Sequence, residues 1–257
     1  MAEIHLRGLR KVYGKTAPTV ALHGIDLEIE AGSYTAIIGR SGSGKSTLLN
    51  LIGALDRPTS GEMRFQGRNL FEFDDDALAL FRSRSLGFIF QFHYLLPEFN
   101  ALENVLLPYR ILHGRLDAAA VRRGKELVER VGVGRRMNNR ANALSGGEQQ
   151  RIAIARALIN SPRVILADEP TGNLDSETSE SVKGLLREIN RDFQTTFIIV
   201  THDRHIAASC DRVVEIDDGR VQRDFRTADF SEDETWARLA PCDCRQRLRG
   251  DLPVVAS

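Results

Sequence analysis

Two short stretches carry residues whose types and spacing could do chemistry. The first is GRSGSGKST, residues 39–47. Gly39, Gly44, Lys45 and Ser46 match the spacing G-x-x-x-x-G-K-[ST]. Glycines so placed let backbone N–H groups turn inward and approach phosphate oxygens closely. A helix opening at this point adds about half a positive charge. The loop from Gly39 through Arg40, Ser41, Gly42, Ser43 and Gly44 to Lys45, Ser46 and Thr47 is therefore a candidate nucleotide site. Lys45 is expected to reach the β- and γ-phosphates, and the Ser46 hydroxyl to bind Mg²⁺. The second stretch is VILADEP, residues 164–170, an apolar run ending in two acids. A buried charge needs a partner, and Mg²⁺ would supply one. Asp168 is expected to organise the ion, and Glu169 to polarise a water aimed at the γ-phosphate. His202 follows the apolar run TTFIIVT and is expected at the γ-phosphate, whereas His205 reads as structural.

These residues need strands to carry them. YTAII, 34–38, is an apolar run suited to a buried strand, and a helix over roughly 45–54 should follow the glycine loop. RVILAD, TTFIIVT and RVVEI read as further strands, and DDGR, 217–220, as a hairpin turn. Strands alternating with helices imply an α/β fold with a mainly parallel sheet covered on both faces. Earlier, IDLEIE alternates with period two, and another hairpin is expected near 62–70. From about 75 to 160 the texture is helical, with Pro108 as a kink or break, and looks like an insertion into the sheet domain. From about 226 the chain is polar and patternless, as in a frayed or loosely docked tail.

Bulk properties narrow the function classes. Lys+Arg and Asp+Glu balance at 35 each, which argues against a nucleic-acid partner. No apolar run approaches the ~18–20 residues that span a bilayer, and the N-terminus lacks a signal-peptide core, so a cytosolic chain is expected. Three cysteines fit a reducing compartment. Cys210 reads as a small buried apolar residue. Cys242 and Cys244 are only half a zinc site.

ANALSGGEQQRIAIARALI, 141–159, adds a third feature. Ser145 and Glu148 have capping-box spacing, and Gly146 and Gly147 leave the first turn uncovered. The expected product is an exposed helix N-terminus, a second anion site. One nucleotide already has its phosphate loop, so this site makes sense for a nucleotide held by another copy of the chain. LSGGE at 144–148 resembles the signature of ATP-binding cassette (ABC) ATPases, and the resemblance covers about residues 3–224. It implies a P-loop NTPase cassette with an antiparallel β subdomain and an inserted helical subdomain. The cassette would span 1–225, and 226–257 would be the polar tail. It also implies ATP hydrolysis with Mg²⁺ in a head-to-tail homodimer. Tyr13 would stack on adenine. Gln91 would contact Mg²⁺ and the attacking water. Ser145 and Gly147 would bind the γ-phosphate across the dimer. Asp175 would lie on a loop crossing to the other copy, or serve only as a helix N-cap. Glu169 would be the catalytic base and His202 the γ-phosphate switch.

QFHYLLPEF, 91–99, is unusually apolar for a chain with no membrane segment: five of its nine residues are aromatic or aliphatic. In ABC ATPases the groove after the loop glutamine receives a helix from a membrane permease, so 91–105 is the expected docking region. Phe92, Leu95 and Leu96 could instead fill the subdomain's own core. QFHYLLPEFNALENVLLP resembles the lipoprotein-releasing (LolD) ATPases, although Tyr94 stands where a histidine is expected. ADEPTGNLD, 167–175, is typical of the wider group with MacB-type exporters and FtsE. The resemblance implies a peripheral subunit on the cytoplasmic face of the inner membrane, serving lipoprotein release. Export of another substrate and FtsE-like regulation of a periplasmic enzyme are the alternatives.

Overall fold

The computed structural model describes residues 2–14 and 16–239. In chain order its elements are β1 (Ala2–Tyr13), β2 (Thr19–Glu30), β3 (Tyr34–Ile38), α1 (Lys45–Ile52), β4 (Ser60–Phe65), β5 (Arg68–Asn69), α2 (Asp75–Ser85), β6 (Leu86–Phe90), α3 (Ala101–His113), α4 (Ala118–Arg130), α5 (Gly146–Leu158), β7 (Val164–Asp168), α6 (Ser176–Phe193), β8 (Thr196–Val200), α7 (Arg204–Ala208), β9 (Arg212–Asp217), β10 (Arg220–Arg226) and α8 (Glu232–Leu239). They build two sheets. One is four-stranded, in the order β2-β1-β4-β5, and every pairing in it is antiparallel. The other is six-stranded, in the order β10-β9-β3-β8-β7-β6. Neighbours from β9 to β6 run parallel, and β10 closes the edge as an antiparallel hairpin. The hairpin turn has Asp218 at φ 47 and Gly219 at φ 65, so both central residues take the left-handed conformation a tight two-residue hairpin needs.

The core strands are almost wholly apolar because both faces are covered. Alternate residues serve opposite sides. Ile165, Ala167, Phe197 and Ile199 enter one apolar cluster, with α3, α5 and α6. Val164, Leu166, Ile198 and Val200 enter the other, with α1 and the antiparallel sheet. Each fully buried side chain of this size stabilises the fold by about 1.5–3 kcal/mol.

The middle of the chain differs from the helical stretch expected over 75–160. LGFIF, Leu86–Phe90, is a strand that pairs with β7 at the edge of the core sheet. Five residues that follow a helix directly give no period long enough to read, and no turn residue marks their start. The helical subdomain is built after it, from α3, α4 and α5. Pro108 does not break α3, which runs unbroken over Ala101–His113. Asn100 and Glu103 start this helix with a capping box.

The segment after 226 also holds more structure than expected. Ser231 and Glu234 exchange capping hydrogen bonds of 2.9 and 3.3 Å and start α8. Only Thr235 and Leu239 are buried on it, too few to leave a readable pattern. Cys242 and Cys244 lie outside the described residues. Cys210 is buried as expected, its thiol 3.3 Å from the Ile206 carbonyl and its pKa pushed up by burial. No helix among the described residues is long and apolar enough to cross a membrane.

Candidate functional site

Sheet register assembles the site. Ile37 pairs with Val200, Val200 with Asp168, and Asp168 with Phe90. The next residues along these parallel strands therefore emerge together at the carboxyl edge, where ligands collect in open α/β sheets. They are the glycine loop after β3, Gln91 after β6, Glu169 after β7, and Thr201 and His202 after β8. Adjacent strands lie about 4.8 Å apart, so groups separated by up to 163 positions in sequence meet within a few side-chain lengths.

The loop after β3 needs its glycines. Gly39 has φ 152, and a Cβ there would sit 2.0 Å from the Ile216 carbonyl oxygen. Gly44 has φ 102 and caps α1, and its Cβ would lie 2.7 Å from the Ala21 carbonyl oxygen. Arg40 and Ser41 are exposed on the loop, and Ser46 and Thr47 lie in the first turn of α1. The Ser43 hydroxyl is buried without a hydrogen-bond partner. Lys45 is 9% exposed, and its ammonium donates to the Gly39 and Arg40 carbonyls at 2.9 and 2.7 Å. Burial lowers its pKa, against the pull of Glu169 and Asp168. An uncovered helix start, an orphan hydroxyl and a cation folded over the loop fit a polyphosphate.

The acids fit a divalent cation. Burial and then the neighbouring Glu169 raise the pKa of Asp168, and Lys45 only partly offsets them. A nearby metal ion would reverse that pressure. Among the described residues no group of three or more His, Cys, Asp or Glu side chains forms a metal cage. That suits an ion held by one carboxylate with phosphate oxygens and water, as Mg²⁺ commonly is. Ser46, Gln91 and Asp168 would be its protein ligands.

Glu169 is held more tightly than its sequence position suggests. Its backbone is left-handed, with φ 47, at a cost of about 1–3 kcal/mol of the sort stored at functional sites. Oε1 accepts from the His202 backbone N–H at 3.0 Å and from its ring Nδ1 at 2.7 Å. Oε2 accepts from the Thr201 hydroxyl at 3.1 Å. A carboxylate only accepts, so Nδ1 carries the ring proton of His202.

Gln91 donates to the Asn173 side chain at 3.1 Å, and Asn173 donates back to the Gln91 carbonyl at 3.1 Å. Two residues on, His93 Nε2 lies 2.9 Å from the Gly146 carbonyl at the start of α5. The segment after Gln91 thus touches both the loop after Glu169 and the signature turn. Ser145 and Glu148 form the expected capping box, and Ser145 and Gly146 are exposed. Gly147 faces α6: a Cβ there would lie 2.5 Å from Thr178 Cγ2. Gly147→Ala should therefore lower stability by about 1–3 kcal/mol through overpacking. Adding Thr178→Ser removes that methyl and should recover most of the loss in chemical denaturation. Equal losses in the single and double variants would contradict this contact.

Asp175 is an N-cap: its carboxylate accepts from the Thr178 N–H at 2.9 Å and from the Thr178 hydroxyl at 2.7 Å. Tyr13 is 42% exposed, with Lys11 over its ring at 4.8 Å and its hydroxyl 2.9 Å from Asp56. Phe92, Tyr94 and Leu96 are 63%, 65% and 41% exposed, whereas Leu95 packs on the core. The alternative that these residues fill the core holds for Leu95 alone.

Sequence reading missed the groups that fix this apolar segment. Asn104 is fully buried; its Oδ1 accepts from the Leu96 N–H, and its Nδ2 donates to the carbonyls of Leu96, Phe99 and Asn100. Arg156 donates to the His93 and Tyr94 carbonyls at 2.7 and 2.6 Å, and burial lowers its pKa. Lone polar residues inside ALENVLLP and IAIARALI were the available signals, because such groups must find partners.

The ABC transporter family model matches residues 22–172. The chain is 53% identical to a lipoprotein-releasing system ATP-binding protein, LolD, of Anaeromyxobacter dehalogenans, over 86% of this chain and 93% of that one. It is 51% identical to the macrolide export ATP-binding/permease protein MacB of Nitrosomonas europaea, over 87% of this chain but 34% of that one. Among solved structures, a dimeric ATP-binding cassette in a post-hydrolysis state, bound to ADP and Pi, superposes with a TM-score of 0.80 at 40% identity. That match covers 87% of this chain and 98% of the other.

Proposed function

Because the chain belongs to the ABC transporter family and is an ATPase, we propose that two copies close head to tail over two ATP molecules and drive a membrane permease. In this reading the loop from Gly39 to Thr47 holds the phosphates and Lys45 neutralises their charge. Tyr13 stacks on the adenine, and its ring then exchanges Lys11 for the base. Ser46, Gln91 and Asp168 would hold Mg²⁺, which would supply charge neutralisation. Glu169 accepts a proton from the attacking water. His202 donates its Nδ1–H to Glu169 in this arrangement, and to serve the γ-phosphate its ring must turn an N–H toward that group, since phosphate oxygens only accept. The Ser145 side chain and the Gly147 backbone N–H, on the uncovered start of α5, serve the nucleotide of the other copy, and Asp175 lies on a loop that crosses to it.

One observation carries the coupling. Residues 91–96 link the catalytic edge through Gln91, the signature turn through His93, and a solvent-facing apolar surface through Phe92, Tyr94 and Leu96. A permease helix seated on that surface would feel the arrangement of both ends of the site. The chain would then lie peripherally on the cytoplasmic face of the inner membrane. LolD relatives at about half identity support lipoprotein release as the task. The MacB likeness at 51% favours export of another substrate as the second reading.

Phe92→Glu tests the docking surface. The residue is 63% exposed, so the fold should be unaffected. Expected is unchanged ATPase activity of the isolated chain and at least about tenfold weaker binding to the reconstituted permease, as when a buried aromatic anchor is lost. Normal binding and normal stimulation by the permease would contradict docking at this surface.

A further inference from the structure

We infer that α8 braces the switch loop, with Trp236 acting through His205 and α7 as a positioning residue for His202. This rests on the catalytic reading of Glu169 and His202 above. The loop after β8 runs directly into α7, which has five residues. A helix that short does not hold its own position, so packing must set it. On one side Ile206 and Ala207 are buried in the core, in the same cluster as Leu239 of α8. On the other side the His205 ring meets Trp236 edge to face, with centroids 4.9 Å apart at 68°.

The start of α7 and the switch are hydrogen-bonded as one unit. The His205 N–H donates to Asp203 at 2.8 Å, the Asp203 N–H to the Thr201 hydroxyl at 3.0 Å, and that hydroxyl to Glu169 at 3.1 Å. The ring contact between His205 and Trp236 therefore lies at one end of a chain that ends on the general base. Trp236, His202 and Glu169 also line one cleft of about 750 Å³. The helix is also joined to the body apart from Trp236, by Leu239 in the core and by Arg238, whose guanidinium lies 3.7 Å from the Phe230 ring centroid and 5.7 Å from that of Phe225 in β10. An interaction of an aromatic pair can thus be removed without removing the helix.

The test is steady-state ATP hydrolysis by the full chain with Trp236→Ala, Trp236→Phe, His205→Ala and, in parallel, Glu169→Gln. Small displacements of a catalytic group lower turnover far more than substrate affinity, so Trp236→Ala should reduce kcat about tenfold and leave KM for ATP within about twofold. His205→Ala should match it, and Trp236→Phe, which keeps a ring there, should recover most of kcat. Unchanged kcat in Trp236→Ala, or an equal fall in Trp236→Phe, would overturn the brace. A parallel loss of secondary structure in Trp236→Ala, with Trp236→Phe also inactive, would assign the residue to folding and overturn it too. An inactive Glu169→Gln beside a fully active Trp236→Ala rejects the brace alone. A fully active Glu169→Gln rejects the catalytic reading on which it rests.

Discussion

Glu169→Gln should lower ATP hydrolysis at least about 100-fold, the scale of a lost general base, while ATP binding and ATP-dependent dimerisation persist. The substitution keeps the shape of the side chain and removes its basicity. The introduced amide would still accept from the Thr201 hydroxyl or the His202 N–H through its one carbonyl oxygen. It would also place an N–H against one of the donors that now meet a carboxylate. Some local loosening is therefore expected, but the left-handed backbone at φ 47 is also held by main-chain bonds, from the Glu169 N–H to the Val200 carbonyl at 2.9 Å and from the Gly172 N–H to the Glu169 carbonyl at 3.1 Å. The measurement is phosphate release at saturating ATP, beside chromatographic sizing with and without ATP. Turnover near that of the parent would reject Glu169 as the base. Lost dimerisation with lost turnover would assign it to architecture.

Lys45→Ala is the second large effect, and it falls on binding as well as turnover. The ammonium is nearly enclosed and stands between the glycine loop and the two acids. Its removal deletes the enclosed cation of the loop, where phosphate charge must be neutralised. ATP affinity should weaken at least about tenfold, and hydrolysis should fall by at least about 100-fold, in line with losing a charge-assisted contact and a transition-state stabiliser. Lys45→Arg should not rescue it, because a planar fork does not fit a slot shaped for a compact ammonium. Equilibrium nucleotide titration separates the two effects. Affinity and turnover close to the parent would contradict the placement of phosphate in this loop.

Most of the carboxyl edge of the core sheet was legible in the sequence because the glycine loop, Glu169 and His202 each follow a strand buried on both faces. Such strands read as short apolar runs, and the acid, histidine and glycine loop stand at their ends. Parallel register then brings them together without further information, as the row Ile37, Val200, Asp168 and Phe90 shows. The capping box at Ser145 was legible for a similar reason: it is a local device with fixed spacing. Strand β6 was not, because five residues that continue directly from a helix carry no period of their own. Helix α8 was not, because its burial rests on Thr235, Leu239 and the half-covered Trp236 rather than on a repeating face. The supports of residues 91–100 depend on long-range pairings, Arg156 with His93 and Tyr94 above all, that no local pattern announces. The role of Asp175 was left open between a crossing contact and a cap. Its bonds to Thr178 establish the cap and leave the crossing contact as a proposal.

The exposed apolar segment ties the two halves of the account together. Phe92 and Tyr94 stand in solvent on a backbone that is hydrogen-bonded from below, through Asn104 and Arg156, and joined at its start to Asn173 through Gln91. A surface held this firmly can transmit motion to the site instead of absorbing it.

An ATPase that works on a membrane permease should be recoverable together with it. The most direct measurement is to isolate tagged Glu169→Gln chain from native membranes in the presence of ATP and to identify by mass spectrometry what accompanies it. A pair of permease subunits is expected, with lipoprotein retained in the stalled complex. Recovery of the chain with ATP bound but with no membrane protein would contradict it.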